Sequence, residues 1–300
     1  MKAIAIGSIN MDFTMSVDHL PVKGETIAAK SFKESAGGKG ANQAVALSRL
    51  GADVMMIGAV GRDGMGSILM NSLKRDGIET KGIKEVDAPT GNAFITVDVD
   101  GNNTIVVYPG ANYELDIGWV EAFKEDIRAS DFVILQMEIP IDTVVGSIEL
   151  ANRLGTNVIL NPAPAKALPD HIYRMIDMII PNETEIALLT GIEDVKQGAR
   201  RLLEKGVKRV VVTLGEKGCL YVDAERELMM EGNKVRAVDS TAAGDAFTAG
   251  LAISFGRGDD LKSALKFANA VGALTVTRVG AQDSLPTYKE VEMFLRRQEK

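Results

Sequence analysis

The stretch "DSTAAGDAFTAG" at 239–250 sets one carboxylate, Asp245, among residues with almost no side chain. Two needs of group transfer to a hydroxyl meet there: a base for the proton, and donors for a travelling negative charge. Short side chains leave the backbone N–H groups of Ala242, Ala243 and Gly244 open where a helix begins. A helix N-terminus carries unpaired N–H donors and the positive end of the helix dipole, so it favours anions. The arrangement suits a transferring phosphoryl group, whose loose transition state asks mainly for orientation and charge stabilisation. The positive helix end is expected to keep Asp245 ionised, and so a weak base. The competing reading is that Asp245 caps a tightly packed small-residue helix.

A second glycine-rich stretch, "ESAGGKGANQAVALSRLG" at 34–51, puts Gly37, Gly38 and Gly40 around Lys39, just before another helix. Glycines let a ligand come close to the backbone, and the helix start offers free donors. The spacing is not that of a Walker A loop. A phosphate, the hydroxyls of a neutral polyol, or a purely structural turn would each account for it. The first apolar run is followed by "GSINMD" rather than the dinucleotide fingerprint, which counts against a nicotinamide-dependent oxidoreductase.

These residues need elements to hold them. Apolar, β-branched runs at 2–7, 54–60, 132–136, 157–161, 178–182 and 209–215 read as strands buried on both faces. Amphipathic stretches at 40–51, 67–77, 141–155 and 196–206 read as helices between them. The alternation predicts a mainly parallel sheet flanked by helices, with ligands beyond the C-terminal strand ends. There lie Ser8, Asn10 and Asp12, then Met137 and Glu138, the run "NVILN" into "PAPA", Asn182, Thr213 and Gly215. "KVRAVDS" reads as a short β-like run ahead of Ala242, and after Ala243 the chain turns helical. Two segments break the alternation, 12–35 and 91–112, the second a hairpin with its "DGNN" turn at 100–103. Together they predict a small β-sheet lid on a single α/β domain spanning 1–300, unless they serve as decoration or as a subunit interface.

The 300 residues carry a formal charge of −7, which disfavours nucleic acid or an anionic membrane as partner. The single cysteine, Cys219, suits a reducing compartment, and with His19 and His171 it builds no zinc site. His19 reads as a turn residue and His171 as a residue at a helix start. No run approaches the ~20 apolar residues of a membrane span, and the N-terminus lacks a cleavage pattern, so a cytoplasmic location is expected.

Read in order, "GSINMD", "GGKGANQAVA", "GAVGRDGMG", "LQMEIP", "LNPAPA", "PNETE", "TLGEKG", "VDSTAAGDAF" and "RVGAQDSLP" cover nearly the whole chain. The series resembles the ribokinase (PfkB-type) family of carbohydrate kinases. The resemblance implies transfer of the γ-phosphate of ATP, escorted by Mg²⁺, to a sugar hydroxyl, in the ribokinases the 5-hydroxyl of D-ribose. It implies that Asp245 is the base and that Ala242, Ala243 and Gly244 form the anion hole. It puts Asn10, Asp12, Gly38, Lys39, Asn42 and Glu138 on the sugar, and Asn182, Thr213, Gly215, Gly218 and Asn269 on the nucleotide side. Glu185 matches a carboxylate linked to metal and phosphates. Asp239, Thr241, Thr275, Arg278, Gly280 and Ser284 match a loop for an activating K⁺, several through backbone carbonyls. The resemblance matches 12–35 and 91–112 to the β lid that in ribokinases also forms the dimer interface, and so implies a homodimer. Many members read "DTTGAGD" where this chain has "DSTAAGD", with Ala243 in place of Gly, a form that goes with the ribose-specific branch. Another sugar specificity (fructose, deoxyribose or ketodeoxygluconate) and a non-catalytic sugar or nucleotide sensor are the competing readings.

Overall fold

The computed structural model describes residues 1–298. The chain opens with β1 (Lys2–Ile6), β2 (Asn10–Ser16) and β3 (Ser31–Gly37), then β4 (Asp53–Gly61), β5 (Glu79–Val86), β6 (Gly91–Val97) and β7 (Asn103–Tyr108). It continues through β8 (Phe132–Leu135), β9 (Asn157–Leu160), β10 (Met178–Ile179), β11 (Val210–Thr213), β12 (Cys219–Val222) and β13 (Glu227–Met230). Nine strands form the main sheet in the order β13-β12-β11-β10-β9-β8-β1-β4-β5. From β11 to β5 every pairing is parallel, and only the β11–β12 and β12–β13 pairings are antiparallel, so that β12 alone is reversed.

Side chains alternate across a strand, so both faces of β1 must be covered. Ala3 and Ala5 join one buried cluster, Ile4 and Ile6 the other. Helices Lys39–Arg49, Ala243–Gly256 and Leu261–Thr275 supply the first cluster, and helices Ile141–Leu154 and Val195–Glu204 the second. The result is the three-layer arrangement that the continuous apolar runs predict. Three elements differ from the sequence expectation. β5 reads "ETKGIKEV", too charged to register as an apolar run, and it survives because it is an edge strand with one partner. The antiparallel pair β12–β13 extends the other edge. "KVRAVDS" is not a strand: its end is held where Val238 N and Asp239 N donate to the Val276 carbonyl and the Asp239 carboxylate accepts from Gly280 N.

A second sheet, in the order β3-β2-β6-β7, is built from the two segments that broke the alternation. Its period of two separates two kinds of surface. Asp12, Thr14 and Ser16 of β2 face a cavity, while Phe13 points the other way and stacks on Phe32 and Phe94 at centroid distances of 5.8 and 5.4 Å. The cavity, about 650 Å³, lies between this sheet and the C-terminal edge of the main one.

Candidate active site

The helix Ala243–Gly256 starts at this cavity. Its N-cap, Ala242, has φ +59°, the one non-glycine residue in the left-handed region among the described residues. Holding alanine there costs about 1–2 kcal/mol. The turn it makes leaves the N–H groups of Ala242 and Gly244 without an acceptor among the described residues, while Ala243 N donates to the Ser240 carbonyl at 3.2 Å. The anion hole is therefore narrower than the sequence suggests: two donors stand open, and the Ala243 N–H is engaged within the turn.

Asp245 does not cap its helix. Its carboxylate is buried and turns to the neighbouring helix, where Oδ2 accepts from Asn42 Nδ2 at 3.0 Å and Oδ1 from Gln43 Nε2 at 2.9 Å. Burial pushes the carboxyl above its ordinary range, and the Lys39 ammonium with the two amides pulls it back only in part. The raised carboxyl runs against the expectation of a weak, helix-stabilised base: removal from water is the largest influence on it. Burial works to lower the Lys39 ammonium, yet the surrounding carboxylates Asp245, Glu138, Glu185 and Asp12 hold it above its usual range and keep it charged.

Close backbone approach builds the floor beside Asp245. Gly38 has φ +87°, and a Cβ there would lie 2.7 Å from Asn10 N; one on Gly37 would lie 2.0 Å from Asp12 Oδ2. Only glycine leaves room for these contacts. Asn10 Oδ1 accepts from Asn112 Nδ2 at 2.7 Å, and Glu138 Oε2 accepts from Ser8 Oγ at 2.5 Å and from Lys39 N at 3.2 Å. Asp12 is buried among these groups. Its own desolvation and the Glu138 charge push its carboxyl up to about 7, with Lys39 opposing and Asp245 adding to the rise. Asp12, Lys39 and Asp245 line the cavity, with Asn10, Gly38, Asn42 and Glu138 directly behind them in contact.

Across the cavity, Asn182 caps the helix Glu183–Thr190. Asn182 Oδ1 accepts from Glu185 N at 2.8 Å, and Glu185 Oε2 accepts from Asn182 N at 2.9 Å. Burial raises the Glu185 carboxyl, partly offset by the Asn182 N–H and by Lys39. Thr213 stands beside Asn182 through an isolated parallel bridge. Gly215 and Gly218 flank a turn next to β12 and do not line this cavity, and Asn269 Nδ2 is spent on the Glu231 carbonyl at 3.2 Å. These three shape the surround rather than the wall.

The loop around Asp239 closes on itself. Asp239 Oδ1 accepts from Thr241 N at 2.9 Å and Thr241 Oγ1 at 2.6 Å, and Oδ2 accepts from Gly280 N at 2.8 Å. Burial alone would raise the Asp239 carboxyl; these bonds hold it below its usual range. The Arg278 guanidinium turns away to Glu290 at 2.5 Å, Ser284 Oγ donates to the Ala281 carbonyl at 2.7 Å, and buried Thr275 Oγ1 donates to the Val271 carbonyl at 2.9 Å. The oxygens around this loop are carboxylate, hydroxyl and backbone carbonyl groups, a donor set that fits a hard cation. Among the described residues no three His, Cys, Asp or Glu side chains are grouped as a metal cage. Magnesium that enters on nucleotide phosphates needs only one or two carboxylates from the chain, and Glu185, with Oε1 unbonded, meets that need.

Sequence reasoning named Ser8, which braces Glu138, but missed Asn112, which braces Asn10, and the roles of the buried amides Gln43, Gln136 and Asn161 behind Asp245. A signal for two of them was present: "FVILQ" and "NVILN" each end an apolar run in an amide.

The description "pfkB family carbohydrate kinase" matches residues 1–288. A ribokinase of Staphylococcus aureus is 40% identical over 97% of this chain and 98% of its own length, and a deoxyribokinase of Salmonella typhi 35% identical over 98% and 99%. The structure of an Arabidopsis thaliana ribokinase complexed with ribose and ATP superposes with a TM-score of 0.92 at 32% identity, covering 98% of each chain.

Proposed function

The chain belongs to the pfkB family of carbohydrate kinases, and on that premise we propose that it transfers the γ-phosphoryl group of ATP to the 5-hydroxyl of D-ribose. The observation that carries the reading is Asp245, buried at the mouth of an anion-binding helix end and opening on the same cavity as the polar floor. Ribose offers several hydroxyls and little apolar surface, so its recognition needs fixed donors and acceptors. Asn10, Asp12, Lys39, Asn42 and Glu138 supply them. Asp245 takes the proton from the hydroxyl as its oxygen meets phosphorus. The open N–H groups of Ala242 and Gly244, with Lys39, carry the charge on the transferring group. ATP lies along Asn182 and Thr213. Glu185 would hold Mg²⁺, which when bound neutralises phosphate charge; the Asp239 carboxylate and the backbone carbonyls of Thr241, Thr275, Arg278 and Gly280 would hold K⁺. Because Asp239 and Gly280 are tied to the turn that presents Ala242, a cation there orders the anion hole.

The aromatic outer face of the lid supports a homodimer. Phe32, Phe94, Val106 and Tyr108 are exposed on one side of a sheet whose outermost strand, β7, lacks a second partner. Sedimentation of wild type against Val106→Asp checks this: a dimer reduced to a monomer is expected, and an unchanged mass would refute the lid interface. No helix of the described residues is long and apolar enough to cross a membrane. A reducing cytoplasm suits Cys219, which is buried as a free thiol.

The reaction is tested by ADP release from Mg·ATP with ribose, 2-deoxyribose, fructose, ketodeoxygluconate or adenosine as acceptor, with and without K⁺. Fast turnover on ribose, raised by K⁺, is expected. Preference for 2-deoxyribose would transfer the assignment to the deoxyribokinase-like relatives while keeping Asp245 as base. No turnover with any acceptor would mark a sensor.

A further inference from the structure

Behind Asp245, buried amides from three separate elements form a chain. Gln43 lies on the helix Lys39–Arg49, Gln136 directly after β8, and Asn161 directly after β9. We propose that this chain has a single polarity, set by a backbone carbonyl, and that through Gln43 it fixes which oxygen of Asp245 takes the proton. The proposal rests on the reading of Asp245 as the base.

The polarity begins at the Ile180 carbonyl, which can only accept. Asn161 therefore presents Nδ2 to it, at 2.9 Å. Asn161 Oδ1 is then turned to Gln43 and accepts from its Nε2 at 3.2 Å. The same nitrogen has a second hydrogen, which goes to Asp245 Oδ1 at 2.9 Å. Gln43 Oε1 faces the other way and accepts from Gln136 Nε2 at 2.6 Å. Reversing any one amide sets carbonyl against carbonyl or N–H against N–H among buried groups. Gln43 is thus held as a donor to Asp245 by two amides and a main-chain group.

The two carboxylate oxygens consequently differ. Protonation of Oδ1 would weaken its acceptance from an N–H that cannot turn away, so Oδ1 is the oxygen held as an acceptor. Oδ2 faces Asn42, whose amide has no such lock: Nδ2 donates to Asp245, while its buried Oδ1 has no hydrogen-bond partner. Turning that amide over replaces a donor by an acceptor, which is what a protonated Oδ2 requires. In the reaction the sugar O–H bond breaks and its oxygen bonds phosphorus. The bond from phosphorus to the bridging oxygen breaks, and its electron pair leaves with ADP. The proton ends on Oδ2, facing the Asn42 carbonyl. Gln43 is a positioning residue, Gln136 and Asn161 its lock, and Asn42 the group that changes partner.

The test is the pH profile of kcat in Gln43→Met and Gln136→Met, with Asp245→Asn as reference and melting temperatures to report folding. Gln43→Met removes a donor from the ionised carboxylate. It should lower kcat by about 10- to 100-fold and raise the pKa of its acid limb by about one unit, with the KM for ribose within about threefold. Gln136→Met leaves the donor but frees the amide to turn, so it should shift the profile in the same direction and lower kcat by only about 3- to 10-fold. It carries the test alone if Gln43→Met does not fold. A fall in kcat with an unmoved acid limb, alongside an inactive Asp245→Asn, would overturn the positioning role and leave the base in place. An active Asp245→Asn would overturn the base assignment itself, and the inference with it.

Discussion

The two ends of the cavity are assembled in different ways. At the acceptor end the bonds join residues far apart in the chain: Asn10 to Asn112, Ser8 to Glu138 and Asn42 to Asp245, with separations of 102, 130 and 203 residues. At the nucleotide end the side-chain bonds are mostly short in sequence, Asn182 to Glu185 across three residues and Asp239 to Thr241 across two, with Asp239 to Gly280 across 41 the longer tie. Asn10, Asp12, Asn42 and Asp245 are buried, whereas Asn182 and Thr241 are exposed. The acceptor end exists only once the tertiary fold is complete, and each of its groups is fixed by a partner on another element. The nucleotide end is made largely of turns and caps, tied to the rest by few bonds such as that of Asp239 to Gly280. An end fixed from all sides can choose among sugars by leaving the wrong one's partners unpaired, while an end of local motifs gives way to a large, flexible, charged ligand.

If that contrast is right, substitutions at the acceptor end should be costly and those opposite should be mild. Asp245→Asn keeps the shape and removes the base, so kcat should fall by about 10²- to 10⁴-fold with ribose still bound, as stopped assays and calorimetry would report. Asp12→Asn comes next. It should raise the KM for ribose by about 10- to 100-fold, since a charged acceptor becomes a neutral one. Its stability effect has the opposite sign. The Asp12 pKa is raised by folding, so its ionisation weakens the fold as pH climbs through about 7, and the penalty disappears below the unfolded value. Asp12→Asn should therefore melt higher than wild type at pH 8, with the gain shrinking as pH falls from 7 toward 4. The ribose affinity of the wild type should improve over pH 6 to 8, and that of Asp12→Asn should not; parallel profiles would remove Asp12 from the sugar site.

At the other end, Glu185→Gln should raise the Mg²⁺ concentration needed for half-maximal rate by about 3- to 10-fold with little change in the KM for ribose. A loss comparable to that of Asp12→Asn would break the contrast. Smallest of all, Ala242→Gly relieves the left-handed φ at a cost in unfolded-chain entropy. The net should be a stabilisation of up to about 1 kcal/mol, a rise of about 2 °C in Tm, with kcat within about twofold.

The same contrast explains what could be read before the fold was known. "NETE" is a capping box in four letters, and "DSTAAGD" announces a helix end with its own turn, because both are local. The apolar runs gave the parallel core for the same reason. Gln43 was invisible, since inside "GGKGANQAVA" nothing distinguishes an amide that points to solvent from one that meets residues 136, 161 and 245. Edge strand β5 was missed because its charged residues are tolerated by having one neighbour only, a property of its place in the sheet. The Ala243 N–H, read as open, is closed by a carbonyl three residues back, a detail of turn geometry that composition does not carry.

The alternation of β2 has one more consequence, for how the chain can change length. Asn10 and Asp12 share a strand with Met11 and Phe13, which point to the opposite side. Deleting or inserting one residue within 10–16 would move every later residue of β2 to the opposite face, and ahead of Asp12 it would set Phe13 toward the cavity and Asp12 toward the outer surface. The irregular stretch 17–30 and the turn 98–102 bear no such parity. Length variation in this region is therefore admitted only at the rim, and the lid can lengthen, shorten or acquire new loops while its reading frame stays fixed.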